Sequence, residues 1–393
     1  MKQVLSILLC ALLALSPAAS LADKNKDNLP IGNLAGFEGG STWFGEDFHY
    51  DITDEEACWE LLQKPITVLD AEEKDAIYPL DAPNGERVVD EWQGGFINGA
   101  TAAVHVLGED EDGWTLIEGL DYYDRVIRGY VRTKLLKTVT PDDKYGIIID
   151  KLTQKLHLFV DGKLWSTVSV STGLANKGQP YNETATGEYL IGSWVGGFDS
   201  EGMYCEMGIR FNGGDLLHMV PYTTYKDGTK DFAKYGKLLG RKASHGCVRV
   251  MRTANEEGLN ISWLWNNLNR RTKVLVWDDD GRVLPYPEDD TELFYNPDGG
   301  SSYHASATCK SVRDKFLPLK GSFTYAEVDE GKYAKLNPCP YCAPAKRPDV
   351  IDEINQERID VANLLGNAGA ADGEVYAEEN GEEDEVEVII TIR

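Results

Sequence analysis

Positive charge is scarce in this sequence: 39 Lys and Arg stand against 65 Asp and Glu, a formal net charge of −26. Phosphate binding needs clustered cations, so nucleic acid is excluded as a partner. The same acidity keeps the chain soluble and off anionic membrane surfaces. Long apolar runs are also wanting. The longest, Val4 to Leu15, falls short of the ~20 residues that span a bilayer. Cysteine is sparse enough to argue against a complete disulfide framework. Beyond Cys10 there are Cys58, Cys205, Cys247, Cys309, Cys339 and Cys342, and setting Cys247 aside for the chemistry below leaves an odd number.

The amino terminus has Lys2, the apolar run with Cys10 inside it, then Ser16-Pro17-Ala18-Ala19-Ser20-Leu21-Ala22 before Asp23-Lys24. A basic start, a short apolar stretch and small residues before a polar one are the marks of a signal peptide. Residues 1–22 are therefore expected to be removed on export, leaving a secreted, cell-wall protein with no transmembrane segment.

The 393 residues suggest two or three folded units, mainly β and multidomain. Residues 23–64 read as an Asn- and Gly-rich linker followed by a short helix at Asp54–Leu62, with Asp51 or Thr53 as caps. Over 65–140, short β runs at Ile66–Leu69, Ala76–Leu80, Ala103–Leu107, Trp114–Ile117 and Gly129–Val131, broken by the turn Pro83-Asn84-Gly85, suit a small barrel. Tyr78-Pro79-Leu80, Val104-His105-Val106-Leu107, Asp112-Gly113-Trp114 and Gly129-Tyr130-Val131 make this stretch resemble a bacterial SH3 domain. That likeness implies wall binding or positioning, not chemistry.

A second β-rich unit spans 145–278. Strands are expected at Ile147–Ile149, Leu156–Val160, Val168–Thr172 and Lys273–Trp277, with a helix at Thr253–Leu268. His157 alternates with Leu156, Leu158 and Val160 and is read as solvent-facing. His49 and His105 read as surface or barrel residues, and Cys205 as structural.

The most informative string is Ser244-His245-Gly246-Cys247-Val248-Arg249. A free thiol is only a few per cent ionised at neutral pH, so attack on an amide needs a nearby base or cation. Imidazole serves either purpose. Gly246 lets backbone come close to a carbonyl, backbone N–H groups can face an oxyanion, and Arg249 can grip a carboxylate. A Cys near a His is also compatible with a buried structural thiol. The full string, with His218 upstream in Leu216-Leu217-His218-Met219, resembles an L,D-transpeptidase (YkuD-like) catalytic domain.

The resemblance implies a sandwich-like β fold and a thioester formed by Cys247 with a peptidoglycan stem peptide. It implies that His218 activates the sulfur. His245, Gly246 and Cys247 would shape the oxyanion site, Ser244 would support the imidazole, and Arg249 would steady substrate or loop. No cofactor is implied for catalysis. Val168–Gly173 and Thr184-Ala185-Thr186-Gly187 match further family segments, though the latter lacks the usual proline. The interval from His218 to Ser244, with Tyr222, Tyr225, Lys226, Lys230 and Lys234, is longer than usual and is read as a lid or acceptor-side wall.

A small Cys/His-rich module at 295–345 carries His304, four residues, Cys309, then 29 residues, then Cys339-Pro340-Tyr341-Cys342. Two close pairs of soft ligands suit structural Zn²⁺, with disulfide pairing as the alternative. Residues 346–393 are read as an acidic C-terminal tail, with an amphipathic helix at Asp349–Leu365 and strand-like alternation at Val386–Ile390. Three functions remain open on the sequence: an L,D-transpeptidase, an L,D-carboxypeptidase trimming the same stems, or a non-catalytic wall-binding protein.

Overall fold

The computed structural model describes residues 50–89, 95–109, 112–121, 126–176, 179, 182–279 and 282–370. The signal peptide, the Asn/Gly-rich segment and the 386–390 alternation lie outside them. Helix α1 (Glu55–Gln63) is capped by Asp54, whose side chain accepts from Ala57 N–H. Asp51 and Thr53 bond each other instead. The helix is no part of a linker. Its Cys58 and Leu62 pack with Ile148, Phe159, Leu275 and Trp277 on one face of the large sheet.

Residues 66–139 form β1 (Ile66–Leu69), β2 (Ala76–Ile77), β3 (Ile97–Asn98), β4 (His105–Glu109), β5 (Trp114–Leu120), β6 (Val126–Arg132) and β7 (Leu136–Val139). Among the described residues they pair as three small sheets, β1–β7, β2–β3 and β4–β5–β6. Leu69, Val89, Ile97, Val104, Ile117, Ile127 and Val131 form their core.

The central unit contains β8 (Tyr145–Asp150), β9 (Lys155–Val160), β10 (Lys163–Ser171), β11 (Gly187–Leu190), β12 (Trp194–Ser200), β13 (Met203–Asn212), β14 (Asp215–Met219), β15 (Thr223–Thr224), β16 (Lys230–Asp231), α2 (Ala233–Gly236), β17 (Val248–Val250), α3 (Ile261–Asn267) and β18 (Lys273–Trp277). Nine of these strands make one sheet in the order β11-β18-β8-β9-β10-β17-β14-β13-β12. Ile147, Leu156 and Val274 from one half share a core with Ile209, Leu217 and Val248 from the other. The sheet therefore curls onto itself, as the expected sandwich-like fold requires.

Two sequence readings fail here. His157 is buried, not solvent-facing, because both faces of the sheet are covered here: Leu156 and Leu158 enter one core and Phe159, on the same face as His157, enters the cluster under α1; its Nδ1 lies 2.9 Å from Thr167 Oγ1. The helix expected from Thr253 begins only at Ile261, capped by Asn260, because Gly258 takes φ of +99° and breaks the turn before it.

The last unit comprises β19 (Glu292–Tyr295), β20 (Ser302–His304), β21 (Gly321–Thr324) and β22 (Asn337–Pro338) in the order β21-β19-β20-β22, followed by α4 (Pro348–Ala370). Helix α4 falls where a helix was expected at Asp349–Leu365, and residues 371–393 lie outside the described residues. Ile351, Ile354 and Arg358 are buried, and Arg358 donates to Asp279 and to Leu152 O. No helix among the described residues is long and apolar enough to cross a membrane.

Candidate active site

Strands β14 and β17 run parallel, with Leu217 opposite Val248 and His218 opposite Arg249. Side chains alternate along a strand. Leu217, Met219, Val248 and Val250 enter the core, so His218, Arg249 and Cys247 project together from the opposite face. Two strands separated by 28 residues in sequence, with Cys247 immediately before the second, thus deliver the imidazole, the guanidinium and the thiol to one patch.

His218 is buried, and its Nδ1 lies 2.7 Å from Met219 O. That carbonyl fixes Nδ1–H as the donor and leaves Nε2 as the basic nitrogen. The methionine after His218 is harmless, since only its backbone is used. Phe198 meets the ring edge-on at 5.5 Å. Burial pushes the imidazole down to about 4, so it is neutral at neutral pH.

Cys247 is half-buried, with Sγ 3.9 Å from Gly214 O. Burial first, and the Asp215 carboxylate second, push the thiol up to about 12; the Leu216 N–H and Arg249 act the other way. The resting pair is therefore neutral thiol and neutral imidazole, not a thiolate–imidazolium pair. Arg249 is buried with its guanidinium 5.6 Å from the Tyr235 ring centre, and its Nε has no hydrogen-bond partner among the described residues.

The turn before Cys247 is held from several sides. Gly246 takes φ of +109°, and a Cβ there would lie 2.3 Å from Asp215 Oδ1, so only glycine fits. Its carbonyl accepts from the Thr184 hydroxyl at 2.6 Å, and that Thr184 Oγ1 in turn accepts from Gly173 N–H at 2.8 Å. The Thr172-Gly173 and Thr184–Gly187 segments thus converge under the turn without the missing proline. Ser244 Oγ donates to Cys247 O. It braces the turn instead of supporting the imidazole, which Met219 O already orients. The His245 side chain points outward, 3.5 Å from Glu201, leaving only its backbone beside the sulfur.

Sequence reasoning missed Asp215. Burial raises its carboxyl to about 7, with Arg210 opposing and Glu183 adding to the shift. It also missed the buried ion cluster behind the site. Lys151 lies 3.1 Å from Glu183 and 3.2 Å from Asp278. Lys242 is 2.8 Å from both Glu183 and Asp279, and Arg358 is 3.0 Å from Asp279. Burial works against the Lys151 charge, but Asp278, Glu183 and Asp279 outweigh it and hold the ammonium above its usual range. Glu183 precedes Thr184 and Lys242 precedes Ser244 by two, so this cluster anchors both segments of the turn. In the sequence this cluster is signalled only by the acidic pair Asp278-Asp279 after Trp277.

The long interval after His218 forms the β15–β16 pair and α2. Tyr222 packs against Tyr204 and Phe232, and its hydroxyl donates to Glu206 at 2.8 Å. Tyr225 is exposed. Away from this patch, the ligand atoms of His304, Cys309, Cys339 and Cys342 all lie within 4.8 Å of one another.

Residues 144–276 match the YkuD family model, the L,D-transpeptidase catalytic domain. The matched part is about a third of the chain and contains His218 and Cys247. Among solved structures, an L,D-transpeptidase from Stackebrandtia nassauensis is 22% identical, with a TM-score of 0.24 over 34% of this chain and 56% of that one. An L,D-transpeptidase from Mycobacterium tuberculosis is 16% identical, with a TM-score of 0.28 over 46% of this chain and 77% of that one. The catalytic domain of the E. faecium L,D-transpeptidase is 14% identical, with a TM-score of 0.21 over 35% of this chain and 98% of that one. The chain thus spans little more than half of the Stackebrandtia protein, and the family match alone carries the assignment. A search of curated proteins gives no match.

Proposed function

We propose that this is an exported L,D-transpeptidase that forms or remodels peptidoglycan cross-links through a thioester on Cys247. The observation that carries the reading is the common face of His218 and Arg249 on adjacent parallel strands, with Cys247 immediately before the second, inside the family-matched segment. Because thiol and imidazole rest neutral, His218 Nε2 takes the proton as the sulfur attacks the donor carbonyl. The tetrahedral oxyanion is met by backbone N–H groups of the His245–Cys247 turn. The imidazolium returns the proton to the departing amine, and the thioester remains. An acceptor amine then attacks and regenerates the thiol. Water in its place gives carboxypeptidase action.

The apolar run and small residues of 1–22 support export, and the short strands of 65–140 around their own buried cluster support an SH3-like positioning unit for wall binding, one that also sends Ile66, Val68 and Leu120 into the core of the 145–278 unit. The chemistry on Cys247 needs no cofactor. Incubation with a tetrapeptide muropeptide, with and without an acceptor amine, tests the reading by mass spectrometry. Wild type is expected to gain the donor's acyl mass and pass it to the amine; Cys247→Ala is expected to gain none. An equal adduct on Cys247→Ala removes this sulfur from the mechanism, and product made only with water turns the assignment to trimming.

A further inference from the structure

We propose that His304, Cys309, Cys339 and Cys342 hold one Zn²⁺, and that this ion braces the loop leaving the strand that begins beside Cys247. The donor set comes first. Three thiols and an imidazole converge, with Cys309, Cys339 and His304 buried. Bonds of about 2.3 Å to sulfur and 2.0–2.1 Å to nitrogen, arranged tetrahedrally, put neighbouring ligand atoms about 3.6–3.8 Å apart. Cys342 Sγ lies 3.7 Å from His304 Nδ1.

The surroundings suit thiolates better than a disulfide. Ala305 N–H donates to Cys342 Sγ at 3.3 Å, and the Ser311 hydroxyl lies 3.2 Å from both Cys309 Sγ and Cys339 Sγ. Such donors stabilise and orient metal-bound sulfur. After Cys342 the chain turns sharply: Ala343 has φ of +41°, and its N–H donates to Cys339 O at 3.0 Å. That bend brings the second sulfur of the C-x2-C segment back toward the first. Oxidising any two of the three thiols would strand the third beside the imidazole. With three thiolates, a neutral imidazole and Zn²⁺ the site carries one net negative charge, and three protons pass to solvent on binding.

The ligand loop also reaches the catalytic unit. Tyr341, between the last two cysteines, donates its hydroxyl to Ala254 O, and Lys310, next to Cys309, donates to Glu256 O at 2.6 Å. Pro340 and Tyr341 wall a cavity of about 360 Å³ together with Val220, Phe232, Met251 and Arg252. Val220 and Met251 immediately follow β14 and β17. Beside the bonds that Asn255 makes to Ser166 and Thr167 O, the loop thus receives two hydrogen bonds from residues adjacent to metal ligands, Tyr341 and Lys310, and the ion fixes where those two stand.

The full chain should be purified without added metal and analysed for zinc by native mass spectrometry, with peptide mapping of Cys309, Cys339 and Cys342. One zinc per chain is expected, falling at least about tenfold in Cys339→Ser and His304→Ala. Hydrogen exchange at 251–256 is expected to speed up when wild type is stripped by a chelator, and to slow again on adding Zn²⁺. Tyr341→Ala should keep the zinc and lose that protection. A chain that takes up no zinc, or a disulfide among the three cysteines in the native protein, overturns the site. Zinc removal that leaves exchange at 251–256 unchanged overturns the bracing. None of these readouts depends on transpeptidase activity.

Discussion

At Cys247, His218 and Asp215 burial disfavours the charged form of every group. The half-buried Cys247 thiol is pushed up to about 12 and the His218 imidazole down to about 4, so in the mechanism proposed above the proton moves only as the sulfur attacks a carbonyl. Asp215 contributes to that restraint, because it is ionised at the alkaline pH where the thiol titrates. Asp215→Asn is expected to move the alkylation midpoint of Cys247 down by about one pH unit. An unchanged midpoint in iodoacetamide kinetics would show that burial alone sets the thiol. The histidines also tie stability to pH. His218 and His157 both titrate near 4 when folded and 6.5 when unfolded. Between those values the unfolded chain binds more protons, so each histidine withdraws up to about 3 kcal/mol as pH falls from 6.5 to 4. Asp215, raised from 3.8 to about 7, has the opposite sign and withdraws stability as pH rises through that window. Urea titrations at pH 4.5 and 7 should therefore show Asp215→Asn steepening the loss toward acid, not flattening it.

Among elements, those built from local pattern were readable and those set by distant partners were not. Strands β8, β9, β10 and β18 fall on alternating or continuous apolar runs, and the sequence alone places them. The site was legible for the same reason: Ser244–Arg249 and the two Cys/His pairs are short strings of chemically distinctive residues. His157 was misread because its alternation is genuine, while the second face of the sheet is covered too, in part by a helix from nearly a hundred residues earlier in the chain that packs on Phe159. Asp215 and the Lys151–Glu183–Lys242–Asp279 cluster were invisible because each partner lies in a separate segment and looks solvated by itself. Helix α1 gives this a measurable form. Leu62 is fully buried against Ile148 and Leu275, so Leu62→Ala is expected to cost about 2–5 kcal/mol. A loss confined to α1, with the global urea midpoint unmoved, would mean that the helix is an appendage after all.

Across the molecule, the units share buried contacts well beyond the family-matched segment. Glu73, from the 65–140 unit, lies 3.4 Å from Arg210 on β13. Arg358, from α4, reaches Asp279 and the Leu152 carbonyl in the catalytic unit. Breaking a buried ion pair from one side leaves a charge uncompensated, so Arg358→Met is expected to cost about 3–5 kcal/mol. Urea unfolding would check this, and a change below about 0.5 kcal/mol would place the pair with weak surface bridges.

The position of Asp278 and Asp279 bears on where the chain can be cut. A polypeptide stopped at residue 276, where the family match ends, would keep the Lys151 and Lys242 ammoniums and forfeit both aspartates that neutralise them. Glu183 would then face two interior cations alone, beneath the threonine that props the nucleophile turn. Excising the recognisable domain by its sequence borders would damage the very segment it was meant to isolate.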